Sequence, residues 1–160
     1  MAQTTAFTSK HAQWITPVFF FLALYTVGAA TLDSFAMYHT WRFVGKADFA
    51  IMHMESGKRI IRVLVLPSAI MTVFLVLQFW HRPKAVSRGL VCVSLICTII
   101  TWLSSFLIQI PLQIRLDTDM SVLEQLIQTD WIRVISNAVF AVVIFLMLKN
   151  SIQEKGVSRQ

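Results

Sequence analysis

Charge is scarce in this sequence. Only 14% of its 160 residues are Asp, Glu, Lys or Arg, where a soluble domain carries about 25%, and this excludes water as the chain's main solvent. There are two cysteines, Cys92 and Cys97, inside one apolar run and five residues apart. That spacing excludes a C-x-x-C redox dithiol, and the pair reads as small apolar packing residues rather than a structural disulfide. The motifs G-x-x-x-x-G-K-[ST], G-x-G-x-x-G and G-x-S-x-G are missing, which leaves nucleotide chemistry and ordinary serine hydrolysis unsupported. Internal repeats, low-complexity tracts and helix-breaking Gly/Pro pairs are missing too, which argues against a secondary transporter built from inverted repeats.

What is present is hydrophobic. Apolar residues make up 56% of the chain and its mean hydropathy is +0.67. The net charge is +6 and the pI near 9.8, but the basic residues punctuate apolar runs instead of lining one face, so nucleic acid is not an expected partner. A helix crossing the hydrocarbon of a bilayer needs about 20 apolar residues, and four runs meet that length: residues 14–35, 60–80, 89–110 and 131–148. Aromatic and basic anchors flank them, namely Trp14, Trp41, Trp80 with His81 and Arg82, Trp131, and Lys149, as interfacial side chains with an apolar body and a polar tip should. The polar stretch from Met1 to Gln13 holds one lysine and lacks the features of a cleavable signal, so the first run reads as a retained helix. The expected architecture is all-α: a single membrane domain over residues 1–160, an integral four-helix bundle with membrane lipid around it and two longer loops on its outer side.

Charge asymmetry gives an expected orientation. The amino end, the turn from His81 to Arg88 and the carboxyl tail carry Lys10, Arg82, Lys84, Arg88, Lys149, Lys155 and Arg159 against the single acid Glu154. The other side has Asp33, Asp48, Glu55, Asp117, Asp119, Glu124 and Asp130. Lys and Arg alone tie at seven on each side, but acids can neutralise Arg59, Arg62 and Arg133 at the helix mouths. Both termini are therefore expected on the cytoplasmic side, in a bacterial inner membrane. Residues 36–59 and 111–130 are the long outer connections, and such loops tend to carry function. Within them, 47–55 has few helix breakers, and 121–127 also reads as helical, with Asp117 or Asp119 as its N-cap.

Polar side chains inside a bilayer are costly and commonly mark a site. Thr101, Ser105, Gln109 and Gln113 recur at i, i+4 and form one slowly drifting stripe. Asp130, Arg133 and Asn137 form another at i, i+3, i+7. Arg59 and Arg62 open the second span, and Asp33 with Ser34 closes the first. All four sets deepen from the same outer mouth. One reading makes that mouth a pocket for a hydrophobic, aromatic or quinone-like small molecule arriving from lipid. His53 or Asp130 would be its general base, and Arg59, Arg62 or Arg133 would stabilise an enolate or phenolate, with Gln109, Gln113 and Asn137 contacting the ligand. The other reading is structural: hydroxyls that help helices pack, an Asp130–Arg133 pair within one helix, and Asp33 neutralising Arg59 or Arg62. The chain would then be a small subunit or assembly partner in a larger membrane complex.

No spacing such as H-E-x-x-H supports a metal site, and the sequence identifies no cofactor. In a third reading, a haem or metal protein, His39 and His53 would be the ligands, joined by Glu55 or Asp130.

The run Phe49-Ala50-Ile51-Met52-His53, followed by Arg59 and a second span bearing Pro67, together with Ile110-Pro111-Leu112-Gln113, Leu116, Leu126 and Asp130-Trp131-Ile132-Arg133, resembles the anthrone-oxygenase-like family of small four-span bacterial membrane proteins. The resemblance covers residues 20–150. It implies a shared pocket around His53, Gln113, Asp130, Trp131 and Arg133, and, by analogy with a few relatives, oxidation of polycyclic anthrones to quinones. The chain departs from the family pattern at Gln113, where relatives carry His, and at Asp130, where they carry Asn.

Overall fold

The computed structural model describes residues 3–157. Four helices in it are long and apolar enough to cross a membrane: α1 Trp14–Phe43, α2 Ala47–His81, α3 Arg88–Leu116 and α4 Met120–Gln153. Helix already begins at Gln3 ahead of α1 and runs on to Val157 after α4. The chain is an all-α four-helix bundle. Each helix packs against its sequence neighbours, and α4 closes the ring against α1. The α1–α2 and α3–α4 pairs are close, whereas α2 and α3 touch least along the ring.

The connections at one end differ from the expected long loops. Residues 36–43 and 46–60 are helical extensions of the spans, and so are 110–116 and 123–130. Only Val44–Gly45 and the segment 117–119 lie outside helix there. Asp119 caps the start of α4, its Oδ1 accepting from the Ser121 amide at 2.9 Å. At 1.5 Å per residue, α2 measures roughly 50 Å, well over the ~30 Å of bilayer hydrocarbon, so this end projects as a cap. The opposite end keeps the tight turn: Arg82 donates to the carbonyls of Phe79 and Val86, both at 2.9 Å.

Two apolar clusters hold the bundle. The larger one, toward the tight turn, gathers Phe19, Ala23, Met71, Leu75, Val91, Phe140, Ile144 and Met147. The other lies within the cap, where Tyr38, Trp41, Phe49, Leu112, Leu116, Val122, Leu123 and Leu126 pack together. Trp41 meets Phe49 edge-on with ring centroids 6.0 Å apart, an arrangement that adds about 0.5–1.5 kcal/mol beyond burial. Large apolar side chains such as Phe21, Ile61, Val73, Leu107 and Phe145 are exposed all around the outside, as a lipid-facing surface requires.

Between the clusters, three helices widen into π-turns at Asp33–Met37, Ile61–Val65 and Ser105–Gln109. Proline causes two of them. Pro67 and Pro111 follow the second and third bulges, and a proline lacks the N–H that would bond the carbonyl four residues back. For Pro67 that carbonyl belongs to Val63, and the Tyr25 hydroxyl donates to it at 2.9 Å from the neighbouring helix. No proline accompanies the first bulge, and nothing local to the sequence explains it.

Tyr25→Phe should leave the Val63 carbonyl without a partner and cost roughly 0.6 kcal/mol, up to about 1.7, by reversible unfolding in mixed micelles. In a Pro67→Ala background, where an amide replaces the proline nitrogen, the same substitution should cost little; an undiminished cost there would refute the link to proline.

Candidate functional site

The π-turns bring side chains to one cavity. In a regular α-helix residues five apart point about 140° away from each other; a turn closed by i→i+5 hydrogen bonds reduces that divergence. The pairs Asp33/Tyr38, Ile60/Val65 and Ser105/Ile110, each five apart, all line the same space. The i, i+4 stripe of α3 gains in the same way. Its expected drift is about 40° per step, yet Thr101, Ser105, Gln109 and Gln113 all reach the cavity because the bulge at 105–109 takes up the drift.

The cavity has a volume of about 170 Å³ and lies between the two apolar clusters. An engineered protein cavity of about 150 Å³ accommodates benzene, so this one suits a single ring or a compact head group. Polar lining comes from Asp33, Tyr38, Gln109, Gln113, Arg133 and Asn137, with several Ser and Thr hydroxyls. Its exposed lining residues, Val65, Phe106 and Ile110, belong to α2 and α3, so the opening lies between those two loosely packed helices. Trp102 and Phe106 stack beside it, ring centroids 5.4 Å apart.

Its charged wall is a triad. Arg133 Nη2 donates to Asp33 Oδ2 at 3.1 Å, and Arg133 Nε lies 2.7 Å from Asp130 Oδ1. The second contact is an ion pair without hydrogen-bond alignment, so Asp130 Oδ1 has no hydrogen-bond partner. The guanidinium also sits over the Tyr38 ring, 5.7 Å from its centroid, a cation–π geometry. Gln113 Nε2 donates to the Tyr38 hydroxyl at 2.9 Å, and Gln109 Nε2 to Thr129 Oγ1 at 3.2 Å. Two acceptor atoms of lining residues, Asp33 Oδ1 and Gln109 Oε1, are fully buried and have no hydrogen-bond partner.

The residues singled out from sequence divide into three groups. Gln109, Gln113, Arg133 and Asn137 line the cavity; Asp130 stands behind Arg133 and does not. Arg59 and Arg62 are exposed and lie outside the lining, and Asp33 pairs with Arg133 rather than with either of them. His53 is in the cap, its Nδ1 2.6 Å from Asp117 Oδ1, stacked on Phe49 at 5.5 Å and edge-on to Trp41. His39 contacts Arg42, which makes a two-pronged ion pair with Glu124 at 2.8 and 2.7 Å. Among the described residues no group of three or more His, Cys, Asp or Glu side chains is placed to hold a metal. Sequence reasoning missed Tyr38 and the Asp33–Arg133 contact, which joins residues 100 positions apart. The one available signal was an Asp and an Arg in apolar surroundings, each needing a counter-ion.

Comparison with protein-family models, with curated proteins and with solved structures found no match.

Removing one partner of a buried ion pair costs about 3–5 kcal/mol. Arg133→Ala should therefore sharply reduce recovery of monodisperse protein in detergent, and adding Asp33→Asn with Asp130→Asn should restore much of it. Arg133→Lys should not substitute, since an ammonium lacks the planar fork that reaches both carboxylates. Wild-type recovery of Arg133→Ala would show that the triad does not hold α1 to α4.

Proposed function

We propose that this protein binds a hydrophobic small molecule, aromatic or quinone-like, within the plane of the membrane. The molecule reaches the cavity from lipid between α2 and α3 and sets a polar ring or head group against the Asp33–Arg133 wall. The observation that carries this reading is a partly open, mostly apolar cavity on which a few polar side chains converge, Asp33, Tyr38, Gln109, Gln113, Arg133 and Asn137. A small-molecule site has this character: mostly apolar lining with a few convergent polar groups.

Size restricts the ligand. A tricyclic anthrone, the substrate type that the resemblance implies, exceeds a space of about 170 Å³, so one ring would sit inside and the remainder between α2 and α3. Should a bound ring give up a proton, Asp33 receives it, because it is the carboxylate whose residue lines the cavity. His53, engaged with Asp117 in the cap, serves instead to strap α2 to the α3–α4 turn. Both termini belong on the cytoplasmic side in this reading, with the cap on the other. A second reading, a subunit within a larger membrane complex, draws on the sparse cover of α2, whose Ile61, Leu66, Ile70, Val73 and Trp80 are exposed. Native mass measurement in mild detergent decides between a partner there and lipid.

Thr101→Phe fills the cavity from α3 without adding charge. It should weaken binding of a single-ring aromatic at least about tenfold, a change equal to about 1.4 kcal/mol, as read by ligand-dependent tryptophan fluorescence with Trp102→Phe as the control for signal origin. His53→Ala should leave that affinity within about twofold, a difference well under 1 kcal/mol. The reverse pattern, with His53→Ala losing binding and Thr101→Phe retaining it, would move the site into the cap.

A further inference from the structure

Arg59 and Arg62 stand three residues apart on α2, on the outside of the bundle. Both are exposed, and among the described residues neither side chain makes an ion pair or a hydrogen bond. The acids at this end of the bundle are engaged elsewhere. Glu55, one turn before Arg59, is held by Lys58 Nζ at 2.7 Å. Asp117, between α3 and α4, meets His53 at 2.6 Å, and Asp33 of α1 meets Arg133 at 3.1 Å. Asp48 of α2 lies roughly 16 Å further along the helix from Arg59.

Depth gives this pair a meaning. Trp80 anchors α2 at the tight-turn end, and the ~30 Å of hydrocarbon takes about 20 residues of helix, so the far boundary falls near Ile60. The two arginines bracket that boundary, at the level of the lipid phosphates. Below them the exposed face of α2 is apolar, with Val63, Leu66, Ile70 and Val73 open to lipid. The α1–α4 side differs at the same level. There Arg42 is paired with Glu124 and Arg133 with Asp33 and Asp130. Its exposed surface carries Phe35 and Trp131 instead, edge-on with ring centroids 6.1 Å apart. Among the described side chains, unanswered positive charge at this end falls on α2 and on the exposed Arg115 of neighbouring α3.

We infer that α2 holds an anionic phospholipid of the surrounding leaflet, its phosphate between Arg59 and Arg62 and its acyl chains along Leu66, Ile70 and Val73. Guanidinium is suited to this task, because its planar fork matches phosphate oxygens and keeps its charge at the edge of hydrocarbon. A zwitterionic head group carries its own ammonium, which would meet two like charges here, with Glu55 already taken by Lys58. Val65, three residues on from Arg62, lines the lateral opening of the cavity, so the bound lipid flanks that opening. The inference is independent of what the cavity itself binds.

The test is native mass spectrometry of the full chain in mild detergent, titrated with dioleoyl phosphatidylglycerol and dioleoyl phosphatidylcholine, whose chains are identical. The anionic lipid should be retained at least about tenfold more tightly, and Arg59→Gln with Arg62→Gln should reduce that preference to under about twofold. Each single substitution should weaken it about fivefold, which keeps the test decisive if the double variant is not recovered. Lys58→Gln should leave it unchanged. Glycerol 3-phosphate, a phosphate without chains, should not displace the lipid. Equal retention of the two lipids by the wild-type chain, a preference that survives the arginine substitutions, or displacement by glycerol 3-phosphate would each overturn the inference.

Discussion

A guanidinium inside an apolar bundle fixes its surroundings more than any other group here. Arg133 keeps its charge when buried, so the bundle must bring carboxylates to it, and it does so from two directions. Asp130 comes from one turn earlier on α4 and Asp33 from the start of the π-turn in α1. The second contact ties the first helix to the last and sets their register at the level of the cavity. A single planar fork cannot align with every lone pair of two carboxylates, and the structure shows the remainder: an ion pair at Asp130 without hydrogen-bond alignment and a buried Asp33 oxygen that the guanidinium does not reach. The bundle is therefore closed by charge at α1–α4 and left open on the far side, where α2 and α3 share few contacts.

The backbone obeys a parallel constraint. Hydrocarbon offers no water to a free carbonyl, so a proline in a spanning helix is tolerated only where something else satisfies the group it releases. At Pro67 the Tyr25 hydroxyl does this, and the π-turn before it redistributes the remaining bonds. The same widening alters which residues share a face. Proline thus acts here less as a breaker than as the device that turns residues five apart toward one space.

Much of this was legible from sequence. Apolar runs of spanning length gave the four helices, and the i, i+4 stripe of α3 pointed to the side chains that meet the cavity, because periodicity is a local property. The cap was legible only in part. Helix was expected at 47–55 and at 121–127, with Asp119 as one candidate N-cap, and it is there; the structure extends helix over all of 36–59 and 111–130 except 44–45 and 117–119, since Trp41, Phe49, Leu116 and Leu126 have each other to pack against. That packing is tertiary and leaves no periodic trace in a short segment. His53 drew attention as a histidine near acids, and the acid it meets is Asp117, 64 residues away; sequence could not distinguish that strap from a base at a pocket. The Asp33–Arg133 pair was hidden for a different reason. Two spans lay between its members, and only the order of helices around the ring brings them together.

The two apolar clusters determine how a molecule can reach the site. Tyr38, Trp41, Phe49, Leu116 and Leu126 are all at most 2% exposed and seal the cavity on the cap side, while Phe19, Leu75, Ile144 and Met147, each wholly buried, seal it toward the tight turn. Access is lateral, past Val65, Phe106 and Ile110, from the surface that faces lipid. On the proposed function a ligand arriving this way comes from the bilayer, and the buried charges act on it with little water to weaken them. The same seal makes the triad's charges expensive to bury, and that cost is met where Asp33 and Asp130 meet Arg133.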